Sequence, residues 1–187
     1  MYYILLFIIL YLIYILYNIN IIQLETLDGN KFTIYNNHID EKIELLSKVI
    51  DNMYKLKKYL VDNINNFPEY KIYIIQLDKN FNNERTNIYE TNPLYNLTSY
   101  SVNKGEELSI CLKSKPSGKF HDINLLMYVA IHEMSHFACP EIGHGLLFQR
   151  IFKMFLEQAI IIKLYIKVDY SKNPVEYCGM QLTSSII

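Results

Sequence analysis

Three of the five histidines in this 187-residue chain fall between positions 132 and 144, in the stretch AIHEMSHFACPEIGHGLLF. His132 and His136 are four residues apart. On a helix that spacing puts both imidazoles on one face, one turn apart, where they can reach the same ion. Glu133 follows His132 directly and sits on the adjoining flank, where its carboxylate can touch a metal-bound water. These residue types in this order suit hydrolysis by a zinc-activated water with a carboxylate as proton acceptor.

A catalytic zinc takes three protein ligands and keeps a position open for water. His144 is the natural third ligand. Pro140 should end the first helix and Gly143 permits a tight reversal, so that His144 begins a second helix leaning back across the first. The competing donors are Glu141, Glu157 on the later helix, Cys139 and Cys111; a cysteine ligand would suggest a deformylase-like amidase. Glu141, wedged between Pro140 and Gly143, is expected to face solvent. For the cysteines the simpler role is that of a buried, inert thiol. His121 and His38 carry no comparable spacing. The purely structural alternative, a core helix with a polar edge, would leave three histidines and a carboxylate paying desolvation without partners.

The rest of the chain must position this cluster. Asp122 is a plausible N-cap for the helix that carries His132 and His136. Residues 40–65 show apolar positions at helical spacing (Ile43, Leu46, Val49, Ile50, Met53, Leu56, Leu60), with acidic residues early and lysines later. Residues 70–77 form a β-branched and aromatic run expected to be a strand. Shorter strands are expected at 86–90, 97–102 and 107–113, the last two joined through the turn at 103–105 as a hairpin. The C-terminal NPVEYCGMQLTSSII is expected to close the domain near the catalytic helices.

The first 22 residues are almost wholly apolar, and as one helix they would rise about 33 Å, enough to cross a bilayer core of about 30 Å. The expectation is therefore a transmembrane anchor at 1–22, a linker at 23–39 and one catalytic domain at 40–187, giving a single-pass membrane protein whose sidedness is open. That openness extends to Cys111, Cys139 and Cys178, which pair only in an oxidising compartment, and to Asn96 in its Asn-Leu-Thr acceptor. A net charge of −1 gives no sign of a broad nucleic-acid-binding surface.

The tract HEMSHFACPEIGHGLLF resembles the WLM and SprT-like (Spartan-type) zinc metalloproteases, in which His-Glu-x-x-His is followed by a further histidine and then an aromatic residue. Here these are His132, Glu133, His136, His144 and Phe148. With SYSVNKGEELSICLKSK and NPVEYCGM the chain looks most like short WLM-like proteins of large DNA viruses, over roughly residues 40–180. The resemblance implies an α+β, zincin-like fold: a small mixed sheet packed on an N-terminal helix and an active-site helix, with a further long helix after it. It also implies one Zn²⁺ ion, a protein or peptide substrate, and Glu133 as general base. An edge strand such as 107–113 could hold that substrate by strand addition. Tyr170 and Tyr177 are candidates for stabilising the oxyanion, against a plain packing role in a chain of 17 tyrosines. Such relatives are associated with cleavage of proteins crosslinked to DNA, yet no zinc-finger pattern or basic tail accompanies the motif here.

Overall fold

The computed structural model describes residues 2–18, 21–25, 31–35 and 37–187. In chain order these form α1 (Tyr2–Asn18), β1 (Ile21–Glu25), β2 (Lys31–Tyr35), α2 (Ile39–Asp62), α3 (Lys71–Asn80) and β3 (Asn87–Glu90). There follow β4 (Tyr100–Val102), β5 (Glu107–Ile110), α4 (Ile123–Ala138), α5 (Leu146–Ile161), β6 (Val175–Tyr177) and β7 (Met180–Leu182). The architecture is α+β. A mixed five-stranded sheet has the order β1-β2-β3-β5-β4, and β6 and β7 make a separate antiparallel hairpin.

The expected membrane anchor is corrected. Among the described residues no helix is long and apolar enough to cross a membrane. The apolar run divides: α1 ends at Asn18, about 25 Å of rise for its 17 residues, and Ile21 and Ile22 belong to a strand. The expected single-pass membrane location falls with it. Residues 1, 19 and 20 of the expected anchor, and 26–30 and 36 of the expected linker, lie outside the described residues. The remainder of that linker is largely strand. β1 pairs antiparallel with β2, and Phe32 and Ile34 of β2 are core residues.

The sheet continues parallel from β2 to β3 (Phe32 opposite Ile88) and from β3 to β5 (Asn87 opposite Glu107), then antiparallel from β5 to β4. β5 is therefore interior and the edges of the sheet are β1 and β4, which corrects the expectation that 107–113 is an edge strand. The run at 70–77 is helical, not a strand: Ile74 and Leu77 of α3 are buried at helical spacing while Ile72 and Ile75 are exposed. A short β-branched run fits either element, and packing of α3 on α4 decides for the helix.

α4 is the central helix, packed against α2, α3 and α5. Leu46, Val49, Ile50, Met53, Leu56 and Leu60 supply the buried face of α2, as their spacing implied. The start of α2 is tied to the sheet by a buried ion pair, Lys42 Nζ to Glu90 Oε2 at 2.7 Å. Glu90 also accepts from the Tyr35 amide at 2.9 Å, and Lys42 donates to the Tyr35 carbonyl and to Asn37, so both charges are satisfied.

Candidate metal centre

Asp122 caps α4 as expected, its carboxylate accepting from the Asn124 amide at 2.8 Å. The helix runs to Ala138 and delivers His132, Glu133 and His136 along one flank. Pro140 follows the end of α4, and Gly143 adopts φ +85°, a left-handed backbone that suits glycine. The chain thus reverses within seven residues and α5 begins at Leu146, placing His144 just before it. The Gln149 side chain donates to the His144 carbonyl at 3.0 Å and fixes that end of the loop.

The three imidazoles meet through their Nε2 atoms: 3.2 Å from His132 to His136, 3.1 Å from His136 to His144, and 3.0 Å from His144 to His132. Such a triangle cannot be served by three hydrogen bonds, because each ring nitrogen offers either one proton or one lone pair. A shared cation can use all three lone pairs. Nitrogens held about 2.0–2.1 Å from one tetrahedral zinc stand about 3.3 Å apart, so the cluster fits such an ion with little adjustment. No other described group of His, Cys, Asp or Glu has a comparable arrangement.

Aromatic packing fixes the rings. Phe148, one turn into α5 and buried, lies 4.9, 4.3 and 4.8 Å from the ring centroids of His132, His136 and His144. Phe152 stands 5.2 Å from His132. This apolar backing keeps His132 and His136 neutral: burial, reinforced by the neighbouring histidines, pushes the His132 imidazole down to about 3. Burial likewise holds His136 down at about 4, with His144 and the Lys104 ammonium adding to it. A neutral imidazole is the form that ligates a metal.

Glu133 is 5% exposed, and burial pushes its carboxyl up to about 7, against a hydrogen bond from Ser101 that lowers it. A cation held by the histidines would pull it down again by opposite charge. Ser101 lies on β4, so this edge strand and α4 meet at the carboxylate.

Lys104 was legible only as part of a turn. Its ammonium donates to the carbonyls of Cys139 and Glu141, both at 2.6 Å, capping the end of α4 and holding the loop that carries His144. The turn itself needs Gly105, at φ +105°, where a Cβ would stand 2.7 Å from the Asn80 carbonyl oxygen. Asn80 in turn donates to the Phe137 carbonyl at 2.8 Å. The 103–105 turn is thereby wedged against α4.

The competing donors are elsewhere. Glu141 is exposed, Glu157 is exposed and 3.9 Å from Lys153, and Cys139 is a buried free thiol. Cys111 is bonded to Cys178, which removes its thiolate from any ligand set. His121 is buried and accepts from the Cys178 amide at 3.2 Å; burial lowers its pKa. His38 precedes α2 beside Glu41, and Asn96 is exposed. Tyr170 packs against Tyr128 away from the cluster. Tyr177 instead lines the same cavity as Glu133, its hydroxyl bonded to Ser99. That cavity, about 740 Å³, opens on the histidine cluster and falls within the range of ligand clefts.

Fold and site together define an α+β protein with three converging histidines and a buried glutamate at the floor of a cleft. The chain is 40% identical over 150 residues to uncharacterized protein R325 of Acanthamoeba polyphaga mimivirus, covering 79% of this chain and 74% of that protein. It belongs to the same family as that protein. It is also 41% identical over 83 residues to uncharacterized protein 136R of Invertebrate iridescent virus 6, and 37% identical over 83 residues to uncharacterized protein 042R of Invertebrate iridescent virus 3. Those two alignments cover 44% and 50% of the respective viral proteins. No known family model matches the chain, and no solved structure matches it.

Proposed function

We propose that this protein is a zinc-dependent metallopeptidase that hydrolyses peptide bonds in protein substrates. The observation that carries the reading is the convergence of His132, His136 and His144 through Nε2 with Glu133 beside them. The resemblance of HEMSHFACPEIGHGLLF to WLM and SprT-like proteases agrees with it.

His132, His136 and His144 would hold the ion. Bound zinc supplies Lewis acidity, polarising a carbonyl and lowering the pKa of a coordinated water to about 7. Glu133 accepts the proton released as water adds to the substrate carbonyl, and returns it to the leaving amine, so that one water is consumed and an acid and an amine are produced. Ser101 holds the Glu133 carboxylate by its hydrogen bond. The apolar backing of Phe148 and Phe152 keeps bulk water off the rear of the cluster. β4 is an edge of the sheet and lines the cleft, so an extended peptide can add to it beside the reacting groups.

The test uses zinc-loaded protein on an unfolded protein substrate. Wild type should cut it, and Glu133→Gln should lose about 10²- to 10⁴-fold in rate while keeping its zinc. A Glu133→Gln variant as active as wild type excludes the mechanism.

A further inference from the structure

Resting on the peptidase reading, we infer that the C-terminal hairpin makes this site selective for peptides with a large apolar side chain immediately beside the scissile bond. The cleft lining is of two kinds. Three histidines, Glu133 and Lys104 form one part of it; Tyr128 and Val129 of α4, with Tyr177, Met180 and Leu182 of the β6–β7 hairpin, form an uncharged lobe of the same lining.

Val129 precedes His132 by three residues and Glu133 by four, so it lies on the same helix flank one turn back, about 5.4 Å along the axis. Neighbouring Cα atoms in a peptide are 3.8 Å apart. A residue adjoining the bond at Glu133 therefore has its side chain within reach of Val129. On an added strand successive side chains alternate between faces, so one of the two residues flanking the cut turns into this lobe. The five named walls of the lobe carry no charged group, and the Tyr177 hydroxyl is already bonded to Ser99. A charged side chain would lose its hydration there without a partner, whereas an apolar one would be buried.

The hairpin belongs to the site by covalent attachment. Among the described residues it pairs with no strand of the main sheet, and the Cys111–Cys178 disulfide fastens it to the chain just beyond β5. Cys178 stands between Tyr177 and the first residues of β7, so the bond anchors the wall itself. The Cys178 amide and the Tyr177 hydroxyl add contacts to His121 and Ser99.

Zinc-loaded protein is incubated with a peptide mixture of random sequence, and the cut sites are read by mass spectrometry. Wild type should favour Leu, Met or Phe over Ala at one flanking position by at least about 10-fold in kcat/KM, the order of discrimination expected when a hydrophobic pocket distinguishes methylenes. Val129→Phe, which fills the lobe from the helix, and Leu182→Trp, which fills it from the partly exposed hairpin, should each shift preference toward Gly, Ala and Ser with one zinc retained. Should Val129→Phe fail to fold, Leu182→Trp gives the same reading. Wild type that cuts without apolar preference on either side, or filled variants that keep the wild-type ratio, overturns the inference and leaves the peptidase reading standing. A zinc-loaded wild type that cuts nothing overturns both.

Discussion

The two walls of the cleft are built in opposite ways. On one side His132, Glu133, His136 and His144 come from thirteen consecutive residues, positioned by one helix, one reversal at Gly143 and the start of the next helix. On the other, Tyr177, Met180 and Leu182 sit on a hairpin reached only after an irregular stretch beyond α5, and fastened by a disulfide spanning 67 residues of sequence. The first wall depends on local spacing and close packing, the second on long-range tethers. Chemistry and selectivity should therefore fail separately.

Cutting the tether makes the largest separation. Replacing both cysteines, Cys111→Ser with Cys178→Ser, removes a crosslink closing a 67-residue loop and should cost roughly 4 kcal/mol of stability in a chain-entropy estimate. Denaturant melts would measure it, with zinc content unchanged in the folded fraction. A loss of zinc equal to the loss of fold would mean the walls are one unit after all.

Gly105→Ala strikes the local wall from outside. The new Cβ would press on the Asn80 carbonyl in a left-handed backbone, and Asn80 is bonded to the end of α4. A cost of about 2–3 kcal/mol is expected, read as a lower thermal midpoint. Gly143→Ala, equally left-handed but with open space around its Cβ, should cost only about 1 kcal/mol.

The smallest effect is a pH dependence on the tethered side. His121 is held neutral by burial, so its folded pKa lies below the unfolded value of about 6.5. Above about pH 6.5 both states are neutral and its contribution is fully present. As pH falls towards the folded pKa the unfolded chain takes up the proton first, and stability is lost. Zinc-loaded His121→Gln should show a flatter stability profile than wild type just below pH 6.5; identical slopes would remove His121 from the tether.

The same contrast explains what could be read without coordinates. The Asp122 cap, the i,i+4 histidines, Pro140 and Gly143 are all local signals, and the structure brings together the four residues they single out. The α3 helix was misread because Ile72, Ile74 and Ile75 suit a strand, and only contact with α4 shows which of them is buried. The apolar start of the chain reads as one helix because Asn18 and Asn20, the only amides in it, are too few to tell a helix end from polar residues inside a span. Ser101 and Lys104 escaped notice because their roles arise where β4 meets α4, a meeting that no spacing along the chain encodes. Tyr177 could be named but not chosen among 17 tyrosines until its place in the cleft was visible.

The most direct measurement is zinc stoichiometry by mass spectrometry on equally purified wild type and His144→Ala after equilibration with limiting zinc. The geometry of the Nε2 triangle calls for one zinc per wild-type chain and a large loss of bound zinc in the variant, because among the described residues the two remaining imidazoles have no third donor beside them. Full zinc occupancy in His144→Ala, or a wild type that takes up none, would contradict the account.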